Sequence, residues 1–334
     1  MKKYRGVVIG CGRIGATYEM DSLLVKPASH AAALAQNPRT ELVGLVEPDS
    51  AARERAAEYY KVPAYGEARA CLEALAPDIV VIATPPDTHE ECLALTLALG
   101  VPAVILEKPV SGDRDAAKRM IARAKGSGTV VIVNHQRRFL PLFEDARARI
   151  ASGALGAIQQ ANAQYSNGIF NNGSHTVDTL SFLLGDTVAW AIGVENEHNT
   201  TAPFGPNIDG MLGFTKGAVA MLQSFDNNDY SPHEYSIFGT RGAILIRHHG
   251  FRFEYVPVRE AVTFSAMNEL DWMNADVQLD RRSMLAGTVA HAVDCLDEAA
   301  TSGSTIEDGY RTMEVLNALV ESAAAGGKKI SLAV

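Results

Sequence analysis

Six residues near the N-terminus constrain the fold of this chain more than any other part of the sequence. The segment Gly10 to Gly15 reads Gly-Cys-Gly-Arg-Ile-Gly and directly follows a short apolar run, Val7 to Ile9. In a G-x-G-x-x-G segment of this kind, the first glycine makes a tight turn and the second lets a pyrophosphate approach the backbone. The third lets a helix pack closely on the sheet, with its positive end toward the phosphates. The segment therefore predicts a dinucleotide site at the start of an α/β domain.

Alternating apolar runs and helical patterns extend this prediction over residues 1–134. Strands are predicted at 7–9, 41–46, 78–83, 104–106 and 130–133, and helices at 29–35, 50–60, 88–99 and 113–125. Strands that are apolar along their whole length suit a parallel sheet covered on both faces. Residues 1–134 are therefore predicted to form a Rossmann domain with a doubly wound parallel sheet.

The pattern changes after residue 134. Helices are predicted at 142–152, 175–184, 282–301 and 305–325, and strands at 159–165, 207–214, 218–225, 234–238, 243–247 and 251–256. Glycine-containing turns separate several of these strands, which favours hairpins. Residues 135–334 are therefore predicted to form an α+β domain with an open, mostly antiparallel sheet.

Charge and cysteine content narrow the classes of function. The chain has 30 Lys and Arg against 39 Asp and Glu, a net charge of −9. We therefore expect neither nucleic acid nor an anionic membrane as a partner, and no stretch approaches the about 18 apolar residues of a membrane span. The four cysteines (Cys11, Cys71, Cys92 and Cys295) show no CxxC spacing and no cluster with histidines. This argues against a metal site or a disulfide framework and favours the cytoplasm.

Glu47, at the end of the second strand, predicts NAD rather than NADP as the cofactor. A carboxylate there accepts hydrogen bonds from the adenosine ribose and repels a 2′-phosphate. Glu47 lies 32 residues after Gly15, whereas about 20 is usual, so residues 20–27 are interpreted as an insertion. The residues predicted to contact the dinucleotide are Gly10, Gly12, Arg13, Ile14, Gly15, Glu47, Thr84, Pro85, Glu107 and Lys108.

Lys108 is the first catalytic candidate. It lies in Glu107-Lys108-Pro109, which closes an apolar strand at the edge of the sheet where ligands bind. Partial burial and a nearby nicotinamide cation lower the pKa of a lysine toward the range useful for proton transfer. Pro109 fixes the turn and is a candidate for a cis peptide bond.

His175 is the second catalytic candidate. Asn172 or Ser174 can cap a helix whose first turn holds His175. The positive helix end disfavours an imidazolium, so the ring is expected to be neutral and able to accept a proton. Asp178 lies three residues later on the same helix face and can orient the ring. The alternative is a purely structural histidine held by Asp178.

Together these motifs resemble the Gfo/Idh/MocA oxidoreductases. The resemblance rests on the glycine segment, on Glu107-Lys108-Pro109 and on Gly-Ser-His-x-x-Asp at 173–178, with further similarity at 134–139 and 153–156. It covers essentially the whole chain. It implies hydride transfer at hydroxyl or keto groups of sugars, inositols or nucleotide-linked sugars, with Lys108 and His175 as the functional lysine and histidine. It also implies a homodimer or homotetramer, for which an exposed apolar face of the C-terminal sheet is a natural surface.

One position departs from the pattern of the family. Many members have Asp four residues before this histidine, where this chain has Asn171. Asn is not a general base, although it can hydrogen-bond a substrate hydroxyl. The proton acceptor is therefore Lys108 or His175, with Tyr165 as a further alternative. The predicted substrate contacts are Asn171, Asp178, Arg137 and Tyr165, and Arg137 or Arg138 is suited to an anionic group.

Three hypotheses of function follow. The first is an NAD-dependent dehydrogenase or ketoreductase of a sugar or nucleotide-sugar. The second is an inositol-type polyol dehydrogenase, for which Asn171 is unfavourable. The third is a non-catalytic regulator that senses NAD or a sugar with the same fold, and the presence of both Lys108 and His175 argues against it.

Overall fold

The computed structural model describes residues 2–196, 205–262 and 265–333. The chain forms two compact units. The first comprises Met1–Phe139 and Arg282–Tyr310, and the second comprises Leu140–Arg281 and Arg311–Val334. This division differs from the single boundary predicted after residue 134, because residues 282–310 return to the first unit.

The helices and strands match most of the predicted segments. The α-helices are α1 (His30–Gln36), α2 (Ser50–Tyr60), α3 (Ala68–Leu75), α4 (His89–Ala98), α5 (Arg114–Ala124), α6 (Pro141–Ala151), α7 (Ser174–Leu184), α8 (Met284–Leu296) and α9 (Ile306–Ala324). Side chains of Ser29, Asp49, Asp113 and Ser283 accept backbone N–H groups at the starts of α1, α2, α5 and α8. No helix in the described part of the chain is both long and apolar enough to cross a membrane.

The first unit contains a six-stranded parallel sheet. Its strands are β1 (Tyr4–Ile9), β2 (Thr40–Val46), β3 (Ala64–Tyr65), β4 (Ile79–Ile82), β5 (Ala103–Leu106) and β6 (Val130–Val133), in the order β3-β2-β1-β4-β5-β6. Every residue of β4 and β5 is buried, as expected of a sheet covered on both faces. The order reverses beside β1, so the carboxyl ends of β1 and β4 border the crevice where such sheets bind ligands.

The helix expected directly after the glycine segment is interrupted. Residues 12–18 form a helical turn, and α1 begins only at His30. The N–H groups of His30 and Ala31 donate to the carbonyls of Ile14 and Gly15, each at 2.9 Å. Helix α1 therefore continues from the helical turn at residues 12–18, and the residues between the turn and α1 form a loop. The predicted insertion lies within this loop.

Helix α8 explains why a late segment of the chain belongs to the first unit. Its apolar residues Leu285, Val289 and Val293 are buried in the same core as strands of the parallel sheet. Burial of three such side chains contributes several kcal/mol, at about 25 cal/mol per Å² of apolar surface. Apolar periodicity predicted this helix but carried no information about the core that it joins.

The second unit contains a sheet of β7 to β16. These strands are β7 (Ile158–Ser166), β8 (Val188–Glu195), β9 (Ile208–Phe214), β10 (Val219–Phe225), β11 (Glu234–Gly239), β12 (Gly242–Arg247), β13 (Arg252–Glu260), β14 (Asn268–Leu270), β15 (Asp276–Leu279) and β16 (Ile330–Ser331). The order is β14-β13-β12-β11-β7-β10-β9-β8-β16, with β15 paired to β13. The β7–β10 pair is parallel and the other pairs are antiparallel. The predicted fold class, a Rossmann domain followed by an α+β domain, is confirmed.

Helix α9 packs on one face of this second sheet at β8 and β9. The N–H of Gly193 donates to Ser322 Oγ at 2.9 Å, and a Cβ on Gly210 would lie 2.9 Å from the side chain of Leu319. The opposite face carries Ile192, Met211 and Met221, which are cross-strand neighbours on β8, β9 and β10. Met221 is 42% exposed. This second face therefore presents apolar side chains to the surface of the unit.

Candidate functional site

The glycine turn after β1 leaves backbone open where a phosphate would approach. Gly10 has φ +96°, and a Cβ there would lie 2.6 Å from the carbonyl oxygen of Ala83. A Cβ on Gly15 would overlap the carbonyl oxygen of Gly10, whereas a Cβ on Gly12 would meet no atom within 4 Å. The first and third glycines are therefore required by conformation and packing, and the second faces open space. This geometry fits a dinucleotide, with exposed Arg13 and half-buried Ile14 in the same turn.

Glu47 lies against the glycine turn. Its Oε2 accepts the N–H of Cys11 at 2.9 Å, and its Oε1 accepts the N–H of Asp49 at 3.2 Å. The guanidinium of Arg53 donates to the carbonyls of Glu47 and Pro48, at 2.8 and 2.9 Å. A carboxylate is thus held beside the turn, and Arg53 is bound to the backbone.

The loop after β4 contains the predicted cofactor contacts Thr84 and Pro85. Thr84 is half-buried and Pro85 is exposed. His89, the first residue of α4, is fully buried, and its Nε2 lies 2.9 Å from the Thr84 carbonyl oxygen. Its Nδ1 lies 3.2 Å from the carbonyl oxygen of Val110. His89 therefore joins the loops that follow β4 and β5, and burial lowers its pKa.

Glu107 is the centre of a buried hydrogen-bond network. Its Oε1 accepts His30 Nε2–H at 2.8 Å and Asn134 Nδ2–H at 2.7 Å, and its Oε2 accepts the N–H of Lys108 at 3.2 Å. The amide oxygen of Asn134 accepts the Thr288 hydroxyl at 2.9 Å. Glu107 was predicted to contact the dinucleotide, but its side chain is buried, and both carboxylate oxygens are bound within the protein.

The protonation of Glu107 is set by this network. Burial by itself raises the pKa of a carboxyl group. Here the hydrogen bond and charge of His30, the charge of Lys108 and the Asn134 amide outweigh burial and lower the pKa of Glu107 to about 2. The carboxylate is therefore ionised at neutral pH.

Lys108 follows directly, before a cis peptide bond to Pro109. Its side chain is half-buried. Burial lowers the pKa of Lys108, the carboxylate of Glu107 opposes this change, and the charge of Arg137 adds to it. Such an amine gives up its proton more readily than a lysine in water, which suits general acid–base chemistry.

Arg137 and Arg138 are consecutive arginines of the first unit. Both lie in the 3₁₀ turn Gln136–Phe139 and are buried. Arg138 donates to the carbonyl of Gly303 and to Asp308 Oδ2, each at 3.0 Å. Arg138 is therefore held by a structural ion pair, whereas the charge of Arg137 lowers the pKa of Lys108.

In the second unit, His175 is the second residue of α7 and is 8% exposed. No side chain caps this helix, because a π-helical turn at Ile169–Gly173 runs directly into it. The hydroxyl of Ser174 donates instead to the carbonyl of Asn171 at 2.6 Å. The predicted cap is therefore wrong, and the helix-end argument for a neutral His175 does not apply. Asn171 is half-buried, and Asp178 is buried in α7.

His233 is a neighbour of His175 that sequence reasoning missed. The two ring centroids are 6.4 Å apart. The Nε2 of His233 lies 2.7 Å from the Tyr235 hydroxyl and 3.4 Å from Thr176 Oγ1. A single histidine just before a strand carries no recognisable signal, so only the fold reveals this buried polar cluster.

Tyr165, which was predicted to contact substrate, is fully buried. Its hydroxyl donates to the Ile208 carbonyl at 2.7 Å and accepts the Ile208 N–H at 3.0 Å. Burial raises the pKa of Tyr165. The hydroxyl thus ties β7 to the start of β9, and this arrangement replaces the predicted substrate contact.

Two family models match the chain. Residues 4–135 match the model GFO_IDH_MocA, described as an oxidoreductase family with an NAD-binding Rossmann fold. Residues 159–332 match the C-terminal alpha/beta domain of the same oxidoreductase family. In the residues that the structure describes, no group of three or more His, Cys, Asp or Glu side chains is placed to hold a metal ion.

Individual relatives agree with these matches. Inositol 2-dehydrogenase 4 of Saccharopolyspora erythraea is 30% identical over 178 residues, which are 49% of this chain and 52% of that protein. D-apiose dehydrogenase of Rhizobium rhizogenes is 25% identical over 98% of this chain and 97% of its own length. An oxidoreductase of Agrobacterium radiobacter, crystallised with NAD+, L-tartaric acid and magnesium, has the same fold: the TM-score is 0.78 at 20% identity, over 99% of this chain and 98% of that one.

Proposed function

Because the chain belongs to the Gfo/Idh/MocA family of oxidoreductases, we propose that it is an NAD-dependent dehydrogenase or ketoreductase of a sugar or nucleotide-sugar. The observation that carries the proposal is the placement of an open glycine turn after β1 and of Lys108 after β5, at the same edge of one parallel sheet. Ligands of such sheets bind at this edge.

The residues proposed to hold the dinucleotide are those of the glycine turn, Glu47, Thr84 and Pro85. Gly12 faces the pyrophosphate, and Glu47 faces the adenosine ribose. When bound, the nicotinamide supplies or accepts the hydride. The carboxylate of Glu47 disfavours a 2′-phosphate, and Arg53 is already bonded to two carbonyls. Both observations support NAD over NADP.

The protein residues then have to hold the reacting hydroxyl and move its proton. Lys108 is the proposed proton carrier, because its lowered pKa lets the amine give up its proton more readily than a lysine in water. His175 is proposed to share this task, and Asn171 and Asp178 to contact further hydroxyls. Arg137 is proposed to contact the substrate as well as to lower the pKa of Lys108.

The test is hydride exchange between NAD and a panel of sugars, nucleotide-sugars and inositols. In wild-type protein, at least one substrate is expected to turn over. Lys108→Ala is expected to lose roughly 10²- to 10⁴-fold in kcat while NADH binding is retained. Lys118→Ala, at an exposed lysine of α5, is the matched control. Unchanged turnover in Lys108→Ala would remove Lys108 from the mechanism, and a wholly inactive wild type would favour the sensing role.

An inositol-type polyol is the second candidate substrate. The name of the 30% identical relative, an inositol 2-dehydrogenase, favours including it. Asn171 argues against an inositol substrate, since many family members have a carboxylate at this position. Asn171→Asp is therefore the informative variant: it is expected to raise inositol turnover relative to sugar turnover.

We propose that copies of the chain associate through the second sheet, as a homodimer or homotetramer. The support is the face that carries Ile192, Met211 and Met221, since α9 packs on the other face of β8 and β9. Exposed apolar patches of this kind commonly mark interfaces. Light scattering of wild type and Met221→Glu tests this assignment, with a smaller particle expected for the variant.

The cytoplasm is the proposed location. All four cysteines are free, and three of them are buried. A reducing compartment is the usual setting for such thiols. Localisation of a tagged full-length chain tests this point.

A further inference from the structure

One buried side chain of the first unit has no part in the chemistry described so far. His30, the first residue of α1, is completely buried, and its Nε2 lies 2.8 Å from Glu107 Oε1. A carboxylate only accepts hydrogen bonds, so the proton is on Nε2. The Nδ1 atom is buried and has no hydrogen-bond partner among the described residues.

Two hydrogen bonds lead from this imidazole to the peptide of the proposed catalytic lysine. His30 donates to one carboxylate oxygen of Glu107, and the other oxygen accepts the backbone N–H of Lys108. Asn134 provides a second donor to Oε1 and is held in turn by Thr288 of α8. Removing His30 would leave a buried carboxylate with fewer donors, and such a group takes up a proton rather than stay charged.

We propose that His30 is a positioning residue for Lys108: it keeps the Glu107 carboxylate ionised and in place, and Glu107 fixes the backbone of Lys108 and stabilises its ammonium form. This inference rests on the proposed function. Nothing in the sequence links His30 to Glu107, which is 77 positions away.

Several charged and polar groups surround Glu107 and Lys108. The groups facing Glu107 are His30 of α1, the adjacent Lys108 and the Asn134 amide, and His89 of α4 also senses its charge. Arg137 acts on Lys108. Without the His30 donor, the pKa of Glu107 is expected to rise from about 2. Glu107 then takes up its proton at mildly acid pH, where the wild-type carboxylate is still charged.

The test compares two substitutions of His30, one of which keeps a hydrogen-bond donor for Glu107. His30→Leu removes it, whereas His30→Gln retains an N–H group. We expect His30→Leu to lower kcat roughly tenfold or more through misplacement of Lys108, to leave NADH affinity nearly unchanged, and to move the acid-side rise of kcat/KM to lower pH, because a protonated Glu107 no longer stabilises the ammonium form of Lys108. His30→Gln is expected to recover most of the kcat and the wild-type acid side of the pH profile.

A buried histidine with other partners provides the control. His291 of α8 stacks on Phe139, with ring centroids 4.6 Å apart, and accepts the N–H of Gly303 at 2.9 Å. His291→Gln is expected to lower stability without changing the pH profile. If His30→Leu behaves like His291→Gln, losing activity only in proportion to the folded fraction, the inference is overturned.

Infrared spectroscopy provides a readout that needs no substrate. At mildly acid pH, His30→Leu is expected to show a protonated carboxyl band that is absent from wild type and from His30→Leu/Glu107→Gln. Absence of that band overturns the inference even if the enzyme is active. If the band appears in His30→Leu but the wild-type protein turns over no substrate, the proposed function has failed and the link between His30 and Glu107 has not.

Discussion

The carboxylate of Glu47 accepts the backbone N–H of Cys11 at 2.9 Å, so the end of β2 is bonded directly to the glycine turn after β1. Glu47 is separated from Cys11 by 36 positions, which include an insertion. The bond shows that the longer crossover does not displace Glu47 from the turn. It also places a negative charge where the ribose of a dinucleotide is proposed to lie.

Removing that charge is expected to change cofactor preference. Glu47→Ser should weaken NADH binding and strengthen NADPH binding, each by about tenfold, because a lost pair of ribose hydrogen bonds and a relieved like-charge contact are each worth 1–2 kcal/mol. Fluorescence titration with both nucleotides measures this. Glu41→Ser, an exposed glutamate on the same strand, should change neither affinity. Tighter binding of NADPH than NADH by wild type would contradict the role given to Glu47.

The pH profile of oxidation should respond to Glu107. Lys108 accepts a proton only as the free amine, so kcat/KM is expected to rise as pH increases through its pKa. Burial lowers that pKa, and the Glu107 carboxylate opposes the change. In Glu107→Gln the opposing charge is lost, and the rise should move to lower pH. A profile that stays in place, or moves to higher pH, would argue that His175 is the acceptor.

Glu107 should also make stability depend on pH. Its pKa in the folded protein is about 2, below the ordinary 4.5, so the stabilisation is complete above pH 4.5 and is lost as pH falls through 2. At 1.36 kcal/mol per unit, the contribution is roughly 3 kcal/mol. Urea unfolding of wild type and Glu107→Gln should differ most at neutral pH and less near pH 3. An equal difference at both pH values would show that the carboxylate is not ionised as described.

Tyr165→Phe separates a structural hydroxyl from a substrate contact. The variant leaves the Ile208 carbonyl and N–H without their partner, which should cost about 1–3 kcal/mol in the free energy of unfolding. The KM for substrate should be unchanged in the folded fraction. A raised KM with unaltered stability would restore Tyr165 to the substrate site.

The local sequence was sufficient to identify those site residues that lie together in one short segment. The glycine turn, Glu47 at a strand end and Glu107-Lys108-Pro109 were all identified because turn geometry and apolar periodicity act over a few positions. The same signals predicted both sheets, since burial on one or two faces leaves a repeat in the chain. They missed helix α3 and the strands β3, β8, β14, β15 and β16, of which β3 and β16 have two residues each and are too short for a repeat.

Folding determined the partners of those residues. The buried Glu107 network joins His30, Asn134 and Thr288, and the last two are 154 positions apart. The return of α8 to the first unit, the use of the Tyr165 hydroxyl by Ile208 and the place of His233 beside His175 depend equally on distant contacts. A polar side chain has the same local sequence whether it meets solvent, substrate or a buried carboxylate. Its role is set by which groups desolvate it and bond to it, and that depends on how the whole chain packs.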